Sequence, residues 1–180
     1  IKKLIKFASE NIKKYKVNNI IALHFLRIRG KAKFDLKDYE GAIEDLSKVI
    51  ELDTAEPKDF QFRGTALCKL KNYEGAITDF SKSIELFPAD KTNLKLRGDA
   101  KCKSGNYLGA IEDLSNVIEM DPKDHTTFIL RGEARLNSKD YEGAIKDFSK
   151  GIELIDLIKI DKRKKYINNL KIFDALRNPE

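Results

Sequence analysis

The sequence predicts an all-α fold built as a linear array of stacked helix–turn–helix units. Two short patterns recur along its 180 residues, each copy 34 residues after the one before it. The first is Tyr-x-Gly-Ala-Ile, which begins at Tyr39, Tyr73, Tyr107 and Tyr141. The second is Arg-Gly, which begins at Arg29, Arg63, Arg97 and Arg131. A period of roughly 20–50 residues is typical of repeat proteins, because one such unit cannot bury its apolar face alone.

The segment from Lys91 to Met120 predicts the two helices of one unit. Lys91 to Ser104 carries apolar side chains at loosely helical spacing and is followed by Gly105-Asn106. Tyr107 to Met120 places apolar residues at i, i+3, i+4, i+7, i+10 and i+11, which predicts a strongly amphipathic helix. Asp121-Pro122 ends this second helix, because proline cannot continue the hydrogen-bond ladder.

Small residues recur inside the first helix of each unit. A glycine within a helix costs about 1 kcal/mol relative to alanine, and this cost recurs at Gly30, Gly64, Gly98 and Gly132. We therefore expect the second helix to approach closely at these positions, where a Cβ would clash. The large apolar residues of the second helices then fill the space between hairpins; they are Leu46, Phe80, Leu114 and Phe148.

A 34-residue helix–turn–helix unit with internal glycine, then tyrosine, alanine, a large apolar residue and a late proline resembles the tetratricopeptide repeat. The proline is present at Pro88 and Pro122, while Thr54 and Asp156 replace it in the outer units. The resemblance implies a right-handed α-solenoid of four repeats at 23–56, 57–90, 91–124 and 125–158. It also implies an N-terminal helix at 1–22, as a degenerate half-repeat or cap, and a C-terminal capping helix at 159–180.

The arginines of the Arg-Gly pattern have candidate partners sixteen residues later. These are Asp45, Asp79, Asp113 and Asp147, which lie on the second helices of the four units. We expect a ladder of Arg–Asp ion pairs that joins the helices within one repeat or between successive repeats. The alternative is that the arginines face a ligand. We favour the structural role, because a matching carboxylate is available in every repeat.

The flanking segments are more basic than the repeats. The first 22 residues contain six lysines against Glu10 alone, and Lys162 to Lys165 form a second basic cluster. The N-terminal segment also carries a stripe of apolar residues at helical spacing. This stripe includes Ala8, which lies 34 residues before Ala42, and it ends at 17–19. A C-terminal stripe predicts a separate amphipathic helix that begins at Asp161; its members are Tyr166, Ile167, Leu170, Phe173 and Leu176.

Composition limits the classes of function. The positive net charge of +6 comes from the flanking segments. A protein that bound the phosphates of a nucleic acid along the whole array would carry positive charge on the repeats. No run reaches the roughly 18 apolar residues of a membrane span. Cys68 and Cys102 lie one repeat apart, about 8–10 Å by helix packing, which is too far for a disulfide. We expect reduced thiols and favour a cytoplasmic location.

No combination of residues predicts catalysis, a metal site or a cofactor. His24 and His125 are the only histidines, and about three helix layers separate them. The sequence has no nucleophile elbow, phosphate-binding glycine loop or zinc-ligand spacing. We therefore expect a protein that is not an enzyme.

Tetratricopeptide arrays usually bind an extended peptide or a partner's helix in a concave groove lined by their first helices. The resemblance therefore implies a protein partner, and the candidate groove residues occupy positions whose residue type varies along the array. They are Arg27, Lys31, Phe34, Gln61, Thr65, Lys69, Lys95, Asp99, Lys103, Ile129, Glu133 and Asn137. The first three layers are more basic and the fourth is acidic, which would suit a peptide with acidic residues toward one end.

Three other modes of binding differ in how well the sequence supports them. A carboxylate clamp for chaperone C-termini is not supported, because Phe62, Thr92 and Leu96 occupy positions where that subset of the family has polar or basic residues. RNA or anionic-membrane binding through the basic flanks is an alternative from another class. The terminal helices offer a third possibility, self-association. Nucleic-acid binding is the less favoured of these, since no aromatic platform accompanies the lysines.

Overall fold

The computed structural model describes the backbone of residues 1–15, 20–51 and 55–177, and the side chains of these residues as far as Ile160. In these ranges the chain forms nine α-helices and no strand. The helices are α1 (Lys2–Lys14), α2 (Ile20–Asp35), α3 (Tyr39–Ile50), α4 (Pro57–Lys69), α5 (Tyr73–Leu86), α6 (Lys91–Lys103), α7 (Tyr107–Met120), α8 (His125–Asn137) and α9 (Tyr141–Arg177). The predicted all-α solenoid is confirmed.

Each helix packs against its neighbours in the chain, and α2–α3, α4–α5, α6–α7 and α8–α9 form the four hairpins. The first helices also contact one another, α2 with α4, α4 with α6 and α6 with α8. No such contact joins successive second helices within the described residues. The first helices therefore lie on the inner side of the stack, where the layers are closest.

The Tyr-x-Gly-Ala-Ile pattern marks the start of each second helix. The residue before the tyrosine is Asp38, Asn72, Asn106 or Asp140, and its side chain accepts a hydrogen bond from the glycine N–H at 3.0–3.1 Å. This bond satisfies one of the unpaired N–H groups of the first turn. A Cβ on Gly41 would lie 2.5 Å from the Asp38 carboxylate, so glycine leaves room for the cap.

The internal glycines of the first helices lie against the large apolar residue of the second helix. A Cβ on Gly64 would lie 2.9 Å from Cε1 of Phe80, and one on Gly98 would lie 2.8 Å from Cγ of Leu114. The nearest obstacle is this side chain and not the second helix's backbone. Phe80 and Leu114 are fully buried, as are alanines of both helices. The missing Cβ of the glycine therefore lets the two helices of the hairpin pack closely.

The two ends of the array differ from its repeats. Ala8 of α1 is fully buried, like Ala42, and α1 packs on α2, which begins at Ile20. At the other end, α9 continues without a break to Arg177, so no separate helix begins at Asp161. The reason is that no glycine or proline occurs from Ile152 to Arg177. Residues 16–19, Thr54 and the side chains of the C-terminal stripe and Lys162–Lys165 cluster lie outside the described part.

None of the helices in the described part of the chain is long and apolar enough to cross a membrane.

Candidate functional site

The recurring arginines bind aspartates of their own repeats. In each repeat Nε donates to one carboxylate oxygen at 2.8 Å and Nη2 donates to the other at 2.6–2.7 Å. The four aspartates are buried. Hydrogen bonding to Asp45, Asp79 and Asp113 raises the pKa of Arg29, Arg63 and Arg97 respectively.

Each of these arginines also reaches the preceding helix. Nη1 of Arg63, Arg97 and Arg131 donates to Ser47, Ser81 and Ser115 of the previous repeat at 3.0–3.1 Å. Arg29 makes the same bond to Ser9 of α1. Each of these four arginines therefore joins three helices, and its Nε, Nη1 and Nη2 all donate hydrogen bonds to other residues of the chain.

A second cation approaches the buried aspartate in three repeats. Lys33 lies 3.1 Å from Asp45, Lys101 lies 2.9 Å from Asp113, and Arg135 lies 2.9 Å from Asp147. Leu67 occupies the equivalent position of the second repeat. Lys33, Lys101 and Arg135 are separated by multiples of 34 residues, so the sequence contained a signal for this second cation, which the prediction of one arginine per aspartate did not include.

Three of the predicted groove residues hold neighbouring elements in place. Nε of Arg27 donates to both oxygens of Asp59 at 2.9 and 3.1 Å, and its Nη1 lies 3.2 Å from Glu56. Nζ of Lys95 donates to Asp124, the N-cap of α8, at 2.8 Å. The half-buried Ile129 faces Gly151, where an added Cβ would lie 3.1 Å from its Cγ1. These side chains thus join successive repeats or helices.

Asp124 collects several donors at the start of α8. Lys95 and the hydroxyl of Thr127 each donate to Oδ2 at 2.8 Å, and Thr126 donates its hydroxyl to Oδ1 at 2.6 Å. Burial acting alone would raise the pKa of Asp124. The hydrogen bonds outweigh burial and hold the pKa below that of an ordinary aspartate.

Four predicted groove residues meet between α4 and α6. Thr65 and Lys69 of the second repeat and Asp99 and Lys103 of the third line one hollow of about 120 Å³. Its other lining residues are Cys68, Phe80 and Leu96. Lys103 donates to Asp99 at 2.6 Å, while Lys69 is exposed. The hollow therefore combines an apolar lining with charged groups from two repeats.

A second hollow lies between α2 and α4. Arg27, Lys31, Lys58 and Phe62 are among its lining residues. Nζ of Lys31 lies 5.4 Å from the centre of the Phe62 ring, and Phe34 meets the same ring edge-on at 6.1 Å. Phe62 is not among the predicted groove residues; it stands at a position where the carboxylate-clamp subset of the family has a polar or basic residue.

The remaining candidates are Gln61, Glu133 and Asn137. The Gln61 carbonyl accepts the Thr65 hydroxyl at 2.7 Å. Asn137 donates to the Glu133 carbonyl at 2.8 Å, and both side chains of this α8 pair are exposed. Burial raises the pKa of the Cys102 thiol, and the charge of Glu133 raises it further. The fourth layer therefore presents a carboxylate beside the third.

The two cysteines are free thiols, and burial is the main cause that raises the pKa of each. The side chains described here form no cluster of histidine, cysteine and carboxylate groups suited to a metal ion.

Comparisons with known proteins agree with the geometry. Two tetratricopeptide repeat models match the sequence, one over residues 28–56 and one over residues 95–154. The tetratricopeptide domain of Sgt2 from Aspergillus fumigatus is 30% identical, with a TM-score of 0.54 over 71% of this chain and 85% of that domain. The sequence matches no curated protein.

Two further solved structures share the fold. MamA superposes with a TM-score of 0.79 at 23% identity, over 86% of this chain and 88% of that one. YrrB, described as a TPR protein with an unusual peptide-binding site, superposes with a TM-score of 0.70 at 19% identity, over 89% of this chain and 90% of that one.

Proposed function

This chain belongs to the tetratricopeptide repeat family, and we propose that it is a non-catalytic interaction scaffold that binds an extended peptide or a partner's helix in its concave groove. The observation that carries the proposal is the hollow between α4 and α6. It gathers Thr65, Lys69, Asp99 and Lys103, which occupy two positions of the repeat that are not kept through the array: one holds Lys31, Thr65, Asp99 and Glu133, and the other holds Asp35, Lys69, Lys103 and Asn137. Residues that stacking does not require are the ones free to select a ligand.

The charges of the groove favour acidic and apolar ligand side chains. Arg27 and Lys95 are neutralised by carboxylates of the next repeat or its cap, so they contribute less positive charge than the sequence indicates. Lys31 and Lys69 are exposed and have no ion pair among the described residues. The half-buried Phe62 and Leu96 offer apolar contacts beside them. A peptide with apolar anchors and neighbouring carboxylates is complementary to this surface.

A displayed library of random peptides tests the proposal. We expect selection on the full chain to enrich peptides that combine apolar and acidic residues. These peptides should bind a Lys69→Glu, Lys103→Glu variant at least about tenfold more weakly, since a like charge replaces an attractive one in the groove. Isothermal titration calorimetry on both proteins measures the difference.

The matched control is Lys48→Glu, Lys82→Glu, which makes the same charge change on the second helices α3 and α5, outside the groove. The control should bind the selected peptides as the unaltered chain does. Equal affinity for the groove variant would contradict the proposed site, and so would an equal loss in the control.

The second class of function, RNA or anionic-membrane binding, has one observation in its favour. Five lysines of α1 are exposed; they are Lys2, Lys3, Lys6, Lys13 and Lys14. Binding to phosphate through these lysines should weaken steeply as ionic strength rises. Titration with a single-stranded RNA and with phosphatidylserine vesicles across a salt series separates this mode from groove binding.

A further inference from the structure

The outer face of α9 is an uncovered copy of the surface on which repeats stack. Ile111 and Ile118 of α7 are half-buried, and Ser115 between them accepts a hydrogen bond from Arg131 of the next repeat. The equivalent residues 34 positions later are Ile145, Ser149 and Ile152. Ile145 is 66% exposed and Ile152 is 59% exposed. The last repeat thus presents a stacking surface that no following repeat covers in the described part of the chain.

The helix itself cannot cover this face. In earlier repeats the arginine returns to the serine because a turn separates the two helices. Here α9 continues as one unbroken helix to Arg177. Position 165, which follows Arg131 by 34 residues, is about 24 Å from Ser149 along a helix that rises 1.5 Å per residue. An unbroken helix cannot fold back on its own side, so an occupant of the face comes from elsewhere.

We propose that the occupant is a second copy of this chain, and that two α9 helices pair antiparallel across a twofold axis at Ser149. Ile145 and Ile152 are seven residues apart and lie on one flank of this face. Lys146 and Glu153 have the same spacing and lie on the adjacent flank. In an antiparallel pair centred on Ser149, Ile145 faces Ile152 of the second copy and Lys146 faces Glu153, each contact being made twice.

The face is self-complementary in shape and in charge. One shallow depression along α9 is lined by Ile145, Lys146, Ser149 and Glu153, together with Glu142 and Lys150. The small Ser149 side chain at its centre allows the two helices to approach closely, and the isoleucines bury apolar area on one flank. The Lys146 and Glu153 charges oppose each other on the other flank, so both copies use the same patch, as a twofold interface requires. Lys150, which donates to Glu153 at 2.8 Å, would share that carboxylate with the lysine of the second copy.

This interface leaves the concave groove open, and its test is independent of peptide binding. Sedimentation equilibrium on the full chain should show a dimer. Ile152→Asp should weaken dimerisation about tenfold or more, because it places an unpaired carboxylate in the apolar flank. Leu108→Asp is the matched control, since Leu108 is 78% exposed on α7 and lies outside the interface; this variant should remain dimeric.

A charge exchange tests the register directly. Lys146→Glu alone should yield monomers, and adding Glu153→Lys should restore the dimer, because the two opposed pairs are then re-formed with their signs exchanged. Circular dichroism confirms that each variant is folded. A monomeric unaltered chain would overturn the proposal. A dimer unaffected by Ile152→Asp, or not restored by the charge exchange, would also overturn it, since the copies would then pair elsewhere or in another register.

Discussion

At the scale of single residues, the recurring arginine is the main connector of the array. It binds a buried aspartate of its own repeat with two nitrogens and a serine of the preceding helix with a third, so stability within and between repeats depends on the same side chain. Exposed ion pairs contribute little to folding, whereas removal of one member of a buried pair leaves an uncompensated charge. The four aspartates at the ends of these contacts are all buried.

The second repeat should be the most sensitive to loss of its arginine. Arg63→Met leaves Asp79 without a cation and should lower the free energy of unfolding by about 3–5 kcal/mol. Arg97→Met should cost less, because Lys101 remains 2.9 Å from Asp113. Urea unfolding of both variants measures the order. Equal losses, or a larger loss for Arg97→Met, would show that the second cation does not compensate the buried carboxylate.

The Asp124 carboxylate gives stability a dependence on acid. Its pKa is lowered in the folded chain, so its contribution is present above the pKa of an unfolded aspartate, about 3.9. That contribution is lost as the pH falls below this value. Asp124→Asn keeps an N-cap residue but removes the negative charge that forms the ion pair with Lys95. We expect this variant to be less stable than the unaltered chain at pH 7, and we expect the difference in stability to shrink below about pH 4. Thermal melts of both proteins at several pH values test this. A constant gap would assign the effect to capping alone.

At the scale of the helical element, the turn inside each repeat requires a left-handed residue. Lys37, Lys71 and Lys139 have φ between 61° and 69°, and Gly105 has φ of 89° at the equivalent position. Residues other than glycine are strained in this left-handed region, because their Cβ lies too close to the following carbonyl oxygen. The glycine at 105 was visible in the sequence as a turn signal, but the lysines at the other three positions gave no such signal.

Exchange of residues at this turn should change stability in opposite directions. Lys71→Gly relieves the left-handed strain and should stabilise by about 0.5–1 kcal/mol after the entropy cost of glycine. Gly105→Ala introduces the strain and should destabilise by about 1–2 kcal/mol. Thermal or urea unfolding of the pair provides the comparison. A destabilised Lys71→Gly variant would mean that the lysine side chain contributes more than its backbone strain costs.

At the scale of the whole molecule, a linear array has no single centre. Among the described helices each hairpin contacts only its neighbours, so stability depends on how many sides of a repeat are covered. We expect the amides of α4 to α7 to exchange with solvent more slowly than those of α1, which contacts α2 alone of the helices that the structure describes. Hydrogen exchange under native conditions measures this order. Uniform protection from α1 to α7 would indicate that the array unfolds as one unit.

The sequence predicted the frame better than the site. Stacking repeats the same contacts, so Gly64, Arg63 and Asp79 were recognisable from the period alone. A groove residue has no such signature, and the sequence does not distinguish a side chain that faces solvent from one that reaches the next repeat. Arg27 and Lys95 were therefore taken for ligand-binding residues, although their partners, Asp59 and Asp124, lie about 30 residues away on the next layer. Phe62 was missed for the same reason.

The central claim is that periodic residues build the stack while aperiodic residues of the first helices bind a partner. The most direct measurement is NMR titration of the labelled chain with a library-selected peptide, followed at backbone amides. We predict the largest shifts on α4 and α6, around Thr65, Lys69, Asp99 and Lys103. Shifts confined to the second helices α5 and α7, or to α9, would contradict the claim.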